Sequence, residues 1–157
     1  MTDAFVESEV VQSALEDIMD LQMEVMMFSN IIEYATLEQQ KENLKTLKEL
    51  HKKQKNMFFR CQLCPESEGA RTMVVEILTH FEQCGYDVDL NDPISVFDIV
   101  EQSLIDLEVD IRNQEELMWH YYELSHGLGI PQVNLYNIEV ITTSTASNPI
   151  YPTNPNV

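Results

Sequence analysis

The residues from Phe97 to Tyr121, FDIVEQSLIDLEVDIRNQEELMWHY, decide the fold class. Apolar side chains recur in this segment every three or four positions. They stand at Phe97, Val100, Leu104, Leu107, Ile111, Met118 and Tyr121. Because 3.6 residues make one helical turn, this spacing predicts a long amphipathic helix. Asn91 or Asp92, followed by Pro93, predicts its start, and a helix unbroken to Ser125 is about 50 Å long.

Three further helices are predicted before this one. The first begins near the N-cap Ser8 and carries one apolar stripe of seven residues, namely Val11, Leu15, Ile18, Leu21, Val25, Phe28 and Ile32. Thr36 and Gln39 have the spacing of a capping box and predict the start of the second helix. The third helix is predicted from Pro65 to Cys84, with Gly85 as its C-terminal stop.

The sequence therefore predicts an all-α fold, a helical hairpin or small bundle with a long fourth helix. The first helix is acidic and the second is basic, which favours an antiparallel pair. Residues 1–126 form the predicted helical domain. Residues 127–157 form a predicted extended tail, with a possible strand at residues 133–143 and three prolines after it. The fourth helix is longer than its neighbours, so we expect it either to bend near Asn113 and Gln114 or to pack on another chain.

The net charge of −18 limits the classes of partner. Residues 1–40 hold nine acids and no base, whereas residues 41–60 hold seven bases and two acids. A field of this sign repels phosphate groups, so direct binding to nucleic acid or anionic lipid is disfavoured. We interpret the basic run as the solvent face of the second helix. No leader or membrane-spanning segment is predicted, and the three cysteines indicate a reducing compartment, so a cytoplasmic location is expected.

The sequence resembles an uncharacterised helical family of cyanobacteria and their phages over residues 4–110. Three features carry the resemblance: the opening run Phe5 to Gln12, the stretch Leu47 to Cys64 with its Met-Phe-Phe-Arg run at residues 57–60, and a third helix that closes on Gly85. The family usually has a Ser-Asp-Asp-Pro type of turn where this chain has Cys-Pro-Glu-Ser at residues 64–67. The resemblance implies an all-α fold and a phage or host-cytoplasm setting, but no activity.

Two cysteines and a histidine–cysteine pair have zinc-finger spacing. Cys61 and Cys64 are three residues apart, and His80 and Cys84 are one helical turn apart. A zinc site requires all four side chains to converge. If the third helix starts at Pro65, Cys84 is roughly 25 Å from the first pair, and the site closes only if the helix starts near Ala70. The alternative is that Cys61 and Cys84 are core residues.

Met19, Met23, Met26 and Met27 cluster beside Phe28 on the first helix. Methionine side chains are flexible and polarisable, so such a stripe can form an adaptable partner-binding face. The same pattern is also typical of a hydrophobic core, and we interpret it here as widening the buried stripe.

We expect a non-enzymatic protein that docks a protein partner, or a second copy of itself, through the fourth helix and the tail. No complete nucleophile–base or metal constellation indicates an enzyme. The predicted partner-binding residues are Phe97, Leu104, Ile111, Met118, Trp119, Tyr121, Leu135 and Ile138. Two alternatives stay open at this point: an acidic regulator that blocks a basic nucleic-acid-binding site on a host enzyme, and a small zinc-stabilised module.

Overall fold

The computed structural model describes residues 2–127, which form four α-helices and one short 3₁₀ turn. Helix α1 spans Glu9–Ser29, α2 Leu37–Gln62, α3 Glu68–Gln83 and α4 Ser95–Gly127, and the 3₁₀ turn Ile32–Tyr34 lies between α1 and α2. Residues 2–127 contain no strand, and the all-α prediction is confirmed. The possible strand at residues 133–143 lies outside the described residues.

Helix α2 is the centre of the bundle, and the other three helices pack mainly on it. Polar contacts fix the register of two of these pairs. Asp17 of α1 lies 3.1 Å from Lys53, and Glu24 accepts a hydrogen bond from Thr46 at 3.2 Å. Residue numbers decrease along α2 as they increase along α1, so the two helices are antiparallel, as the charge pattern predicts.

Helix α4 also runs antiparallel to α2. Lys48 is paired with Glu108 at 2.9 Å, and Lys41 with Glu115 at 2.7 Å. Helix α2 begins only four residues before Lys41. About one turn of α4 beyond Glu115 therefore still lies opposite α2, and the remainder of α4 extends past the end of its neighbour.

The core is built around three phenylalanine rings. Phe97 of α4 packs edge-on against Phe58 of α2 and Phe81 of α3, with ring centroids 5.2 and 5.3 Å apart. All three side chains are buried. This geometry is the preferred one for aromatic pairs, and it joins α2, α3 and α4 into a single core.

Helix α2 begins with the capping box that the sequence predicts. The backbone N–H of Gln39 donates to the Thr36 hydroxyl, and the backbone N–H of Thr36 donates to the Gln39 side chain. This reciprocal pair is the predicted capping box. Ser8 precedes α1 as predicted, but its side chain makes no capping hydrogen bond.

Helix α3 begins at Glu68, so the prediction that it begins at Pro65 is wrong. Ser67 is the N-cap, and its hydroxyl accepts a hydrogen bond from the backbone N–H of Ala70 at 3.0 Å. The same hydroxyl donates to the carboxylate of Asp3, which also accepts from the backbone N–H of Gly69 at 3.0 Å. A side chain 64 residues away thus helps to fix the start of the helix.

The end of α3 is the one predicted from Gly85. This glycine has a φ of 90°, a conformation that other residues rarely adopt. Its N–H donates to the carbonyl of Glu82 at 2.9 Å, and the N–H of Tyr86 donates to that of Phe81 at 3.0 Å. These two bonds form a Schellman motif, which satisfies two of the last carbonyls of the helix.

Candidate functional site

The structure places the predicted partner-binding residues of α4 in two different environments. Phe97, Leu104 and Ile111 are buried in the chain's own core, so their prediction as a partner-binding surface is corrected. Their stripe is covered by α2 and its neighbours, because α2 runs alongside α4 as far as its own N-terminus. Leu135 and Ile138 lie outside the described residues.

The end of α4 keeps part of the predicted surface accessible. Trp119 is 61% exposed, whereas Met118 and Tyr121 are half-buried. The Trp119 ring packs edge-on against Tyr122, with centroids 5.8 Å apart. This aromatic pair lies near the level of the N-terminus of α2, where α2 covers little of α4, so the indole ring is on the surface.

The four predicted zinc ligands do not converge. Cys61 and Cys64 lie where α2 ends, whereas His80 and Cys84 lie at the far end of α3, about 24 Å of helix beyond its start. Among residues 2–127, no three side chains of His, Cys, Asp or Glu are close enough to hold one metal ion. The zinc prediction is therefore wrong: closure also required residues 65–69 to double back as an extended loop, whereas α3 runs back along α2 and places His80 and Cys84 beside the middle of α2.

Cys61 is instead a core residue. It is 2% exposed, and its sulfur lies 4.0 Å from the sulfur of Met73. Burial raises the pKa of its thiol to about 11, so Cys61 stays protonated at neutral pH.

A groove of about 710 Å³ lies over the middle of α2. Leu47, Leu50, His51 and Gln54 of α2 are part of its lining. Val100 and Leu104 of α4 contribute to one side, and the end of α3 closes it with His80, Phe81 and Cys84. The lining contains no Asp, Glu, Lys or Arg.

The α1 side of the groove is made of methionine. Met19, Met23, Met26 and Met27 line it and are 61 to 65% exposed. The buried face of α1 is formed instead by Val11, Ile18, Leu21, Val25 and Phe28. The interpretation of the methionines as part of the core stripe is wrong, because they project to the side of α1 that no other described helix covers.

Acidic side chains border this methionine face. Glu16 and Asp20 are exposed, and each lies three residues before Met19 or Met23, which places acid and thioether on adjacent positions of the helix surface. Residues 1–40 contain no base, and the lysine of α2 that pairs with α1 lies on Asp17 rather than on these two carboxylates. The groove therefore combines an uncharged lining with an acidic border.

Two histidines contribute polar atoms to the groove. Burial lowers the pKa of both His51 and His80, so both rings are neutral at physiological pH. The Nδ1 of His51 is buried and makes no hydrogen bond to the described residues. The Nε2 of His80 lies 3.8 Å from the sulfur of Cys84, one turn further along α3. The site therefore offers a small number of polar atoms on a largely apolar lining.

Comparisons with protein-family models, curated proteins and solved structures found no match to this chain. The resemblance to the helical family of cyanobacteria and phages thus stays a prediction. Across the described part of the chain, no helix has the length and the apolar composition that crossing a bilayer requires.

The sequence predicted a partner-binding surface on α4, of which the structure keeps Trp119 largely exposed, and interpreted the methionines of α1 as core. The signal for the groove was present in the four methionines of α1, but spacing alone does not distinguish a second apolar face from a widened core stripe. The structure distinguishes these two possibilities, because α4 packs on α2 and leaves this side of α1 uncovered.

Proposed function

We propose that this chain is a non-enzymatic interaction protein, located in the cytoplasm, that binds a protein partner in the methionine groove. The observation that carries the proposal is the exposure of four methionines on the wall of an uncharged groove. Singly exposed apolar side chains are ordinary, but a contiguous exposed patch beside a concavity is typical of a binding site. Methionine suits such a site because its unbranched side chain adapts to the partner.

The chemistry of the groove favours an amphipathic helix with a basic outer face as the partner. An apolar helix face can lie along α1 and replace the water that covers the methionines. Basic residues on its flanks would then face Glu16 and Asp20. The net charge of −18 attracts such a partner over a longer range and repels acidic competitors.

Fluorescence anisotropy with two synthetic helices tests this proposal. One labelled peptide carries a leucine face and lysines, and the other carries the same leucine face and glutamates. We expect the lysine peptide to bind the full chain and the glutamate peptide not to bind. Met23→Lys places a charge in the groove wall and is expected to weaken binding by at least about tenfold.

Val75→Lys is the matched control. Val75 of α3 is 62% exposed and is not among the groove-lining residues, so the same charge added there leaves binding intact. If both variants bind the lysine peptide equally well, the attraction is only electrostatic and the groove is not the site. If neither peptide binds the unmodified chain, the proposed partner chemistry is wrong.

The uneven charge distribution supports a second candidate function. An acidic α1 face without bases could cover a basic nucleic-acid-binding site on another protein. A regulator of this kind depends on the carboxylates rather than the methionines. Asp20→Lys would then abolish competition with nucleic acid for a basic protein, whereas Met23→Leu would have no effect.

A further inference from the structure

The groove also contains a contact between His80 and Cys84, at its α3 end. The imidazole Nε2 and the thiol sulfur lie 3.8 Å apart, and both side chains line the groove. Two ligand bonds of about 2.0–2.3 Å to one ion would meet at an angle of about 120° over this separation. The pair is therefore placed as two of three ligands around a trigonal ion.

The helix registers place methionines across the groove from this pair. Cys61 contacts Met73, and His80 and Cys84 line the groove together with Leu50 and Gln54, so α3 runs back along α2 and places this pair near the level of α2 residues 50–54. Asp17 is level with Lys53 and Glu24 with Thr46, so Met19 and Met23 lie near the level of α2 residues 47–51. Both groups line the same groove, and the exposed methionine side chains have three rotatable bonds with which to reach inward.

We propose that this corner of the groove binds a soft monovalent metal ion, Cu(I), through the Cys84 thiolate, the His80 imidazole and the thioether of Met19 or Met23. Thiolate and thioether ligands select Cu(I) over hard cations. A zinc site requires at least three His, Cys, Asp or Glu ligands, even where water is the fourth. Among the described residues, no third His, Cys, Asp or Glu is close enough to serve.

The proton balance of binding is simple. A neutral imidazole can hold its proton on Nδ1 and leave a lone pair on Nε2 for the ion. Cu(I) takes the place of the thiol proton of Cys84, which passes to solvent. No electron is transferred.

Anaerobic titration of the reduced full chain with Cu(I), against a chromogenic Cu(I) chelator, tests the proposal. We expect one ion per chain and a thiolate-to-copper absorption band in the near ultraviolet. Cys84→Ser and His80→Gln should each weaken binding by at least about tenfold, since even the loss of a hydrogen-bonding partner of a metal ligand costs that much. Met19→Leu combined with Met23→Leu should weaken it while the absorption band persists.

Cys64→Ser is the control, because Cys64 is half-buried near the end of α2 and does not line the groove. This variant should bind one ion with unchanged affinity. The proposal is overturned if Cys84→Ser and His80→Gln, shown to be folded by circular dichroism, bind Cu(I) as the unmodified chain does, or if Cys64→Ser loses the site. The copper titration contains no peptide, so its outcome is read independently of whether a helical partner binds.

Discussion

Gly69 lies where the N-terminal segment crosses the start of α3. A Cβ added at this position would collide with the Cγ2 atom of Val6. Asp3, three residues before Val6 in the sequence, accepts hydrogen bonds from both Ser67 and Gly69. These bonds lower the pKa of the Asp3 carboxyl, the one from Ser67 most, so the charged form is the one that holds the segment in place.

Gly69→Ala is expected to lower the free energy of unfolding by about 1 kcal/mol. The collision with Val6 costs about 1–3 kcal/mol, and the higher helix propensity of alanine recovers up to about 1 kcal/mol. Urea denaturation followed by circular dichroism measures the change. In a Val6→Ala background the collision is relieved, so the same substitution should become neutral or stabilising. If Gly69→Ala costs the same in both backgrounds, the N-terminal segment does not pack on α3 as described.

At the level of whole helices, α4 changes from a core element to a surface element along its length. Phe97 has no exposed surface and contacts two other phenylalanines, whereas Trp119 is 61% exposed. Both residues were predicted from the sequence as parts of one partner-binding surface. The structure separates them because α2 covers α4 at Phe97, whereas the N-terminus of α2 lies near the level of Trp119.

Phe97→Ala is expected to lower the free energy of unfolding by about 3–5 kcal/mol, because it removes a buried ring and leaves a cavity. Trp119→Ala should change it by less than about 1 kcal/mol, since an exposed side chain loses little packing on truncation. Thermal and urea unfolding followed by circular dichroism measure both changes. Equal costs for the two variants would contradict the assignment of Phe97 to the core and Trp119 to the surface.

The elements themselves were largely predictable, because local rules govern them. The capping box at Thr36, the stop at Gly85 and the apolar spacing of α4 each depend on residues within a few positions of one another. The start of α3 had two local candidates, Pro65 and the N-cap Ser67, and the contact that supports Ser67 comes from Asp3, 64 residues earlier in the sequence. The sequence raised the α1 methionines both as core and as a partner-binding face, and could not decide between the two because the answer depends on which side of α2 each helix occupies.

For the molecule as a whole, the net charge of −18 opposes folding. Few cations offset it, and the described ion pairs of Lys41, Lys48 and Lys53 are surface contacts. Such pairs each contribute little to the free energy of unfolding. The general repulsion among the carboxylates therefore outweighs the attraction within these pairs.

Added salt is therefore expected to stabilise the protein. The urea midpoint should rise as sodium chloride increases from low ionic strength to about 0.5 M, because screening weakens the repulsion more than it weakens the few ion pairs. Glu16→Gln and Asp20→Asn, which remove two charges from the groove border, should reduce this dependence. A midpoint that falls with salt would show that the ion pairs of α2 are stronger than the repulsion.

The position of Trp119 has a practical consequence for spectroscopy. It is the sole tryptophan of the sequence, and its indole ring is largely in water while the chain is folded. Its emission spectrum will therefore respond weakly to denaturation of the core. The same fluorophore should respond strongly to any molecule that binds over the exposed Trp119 ring, so a blue-shifted emission would signal binding there without any added dye.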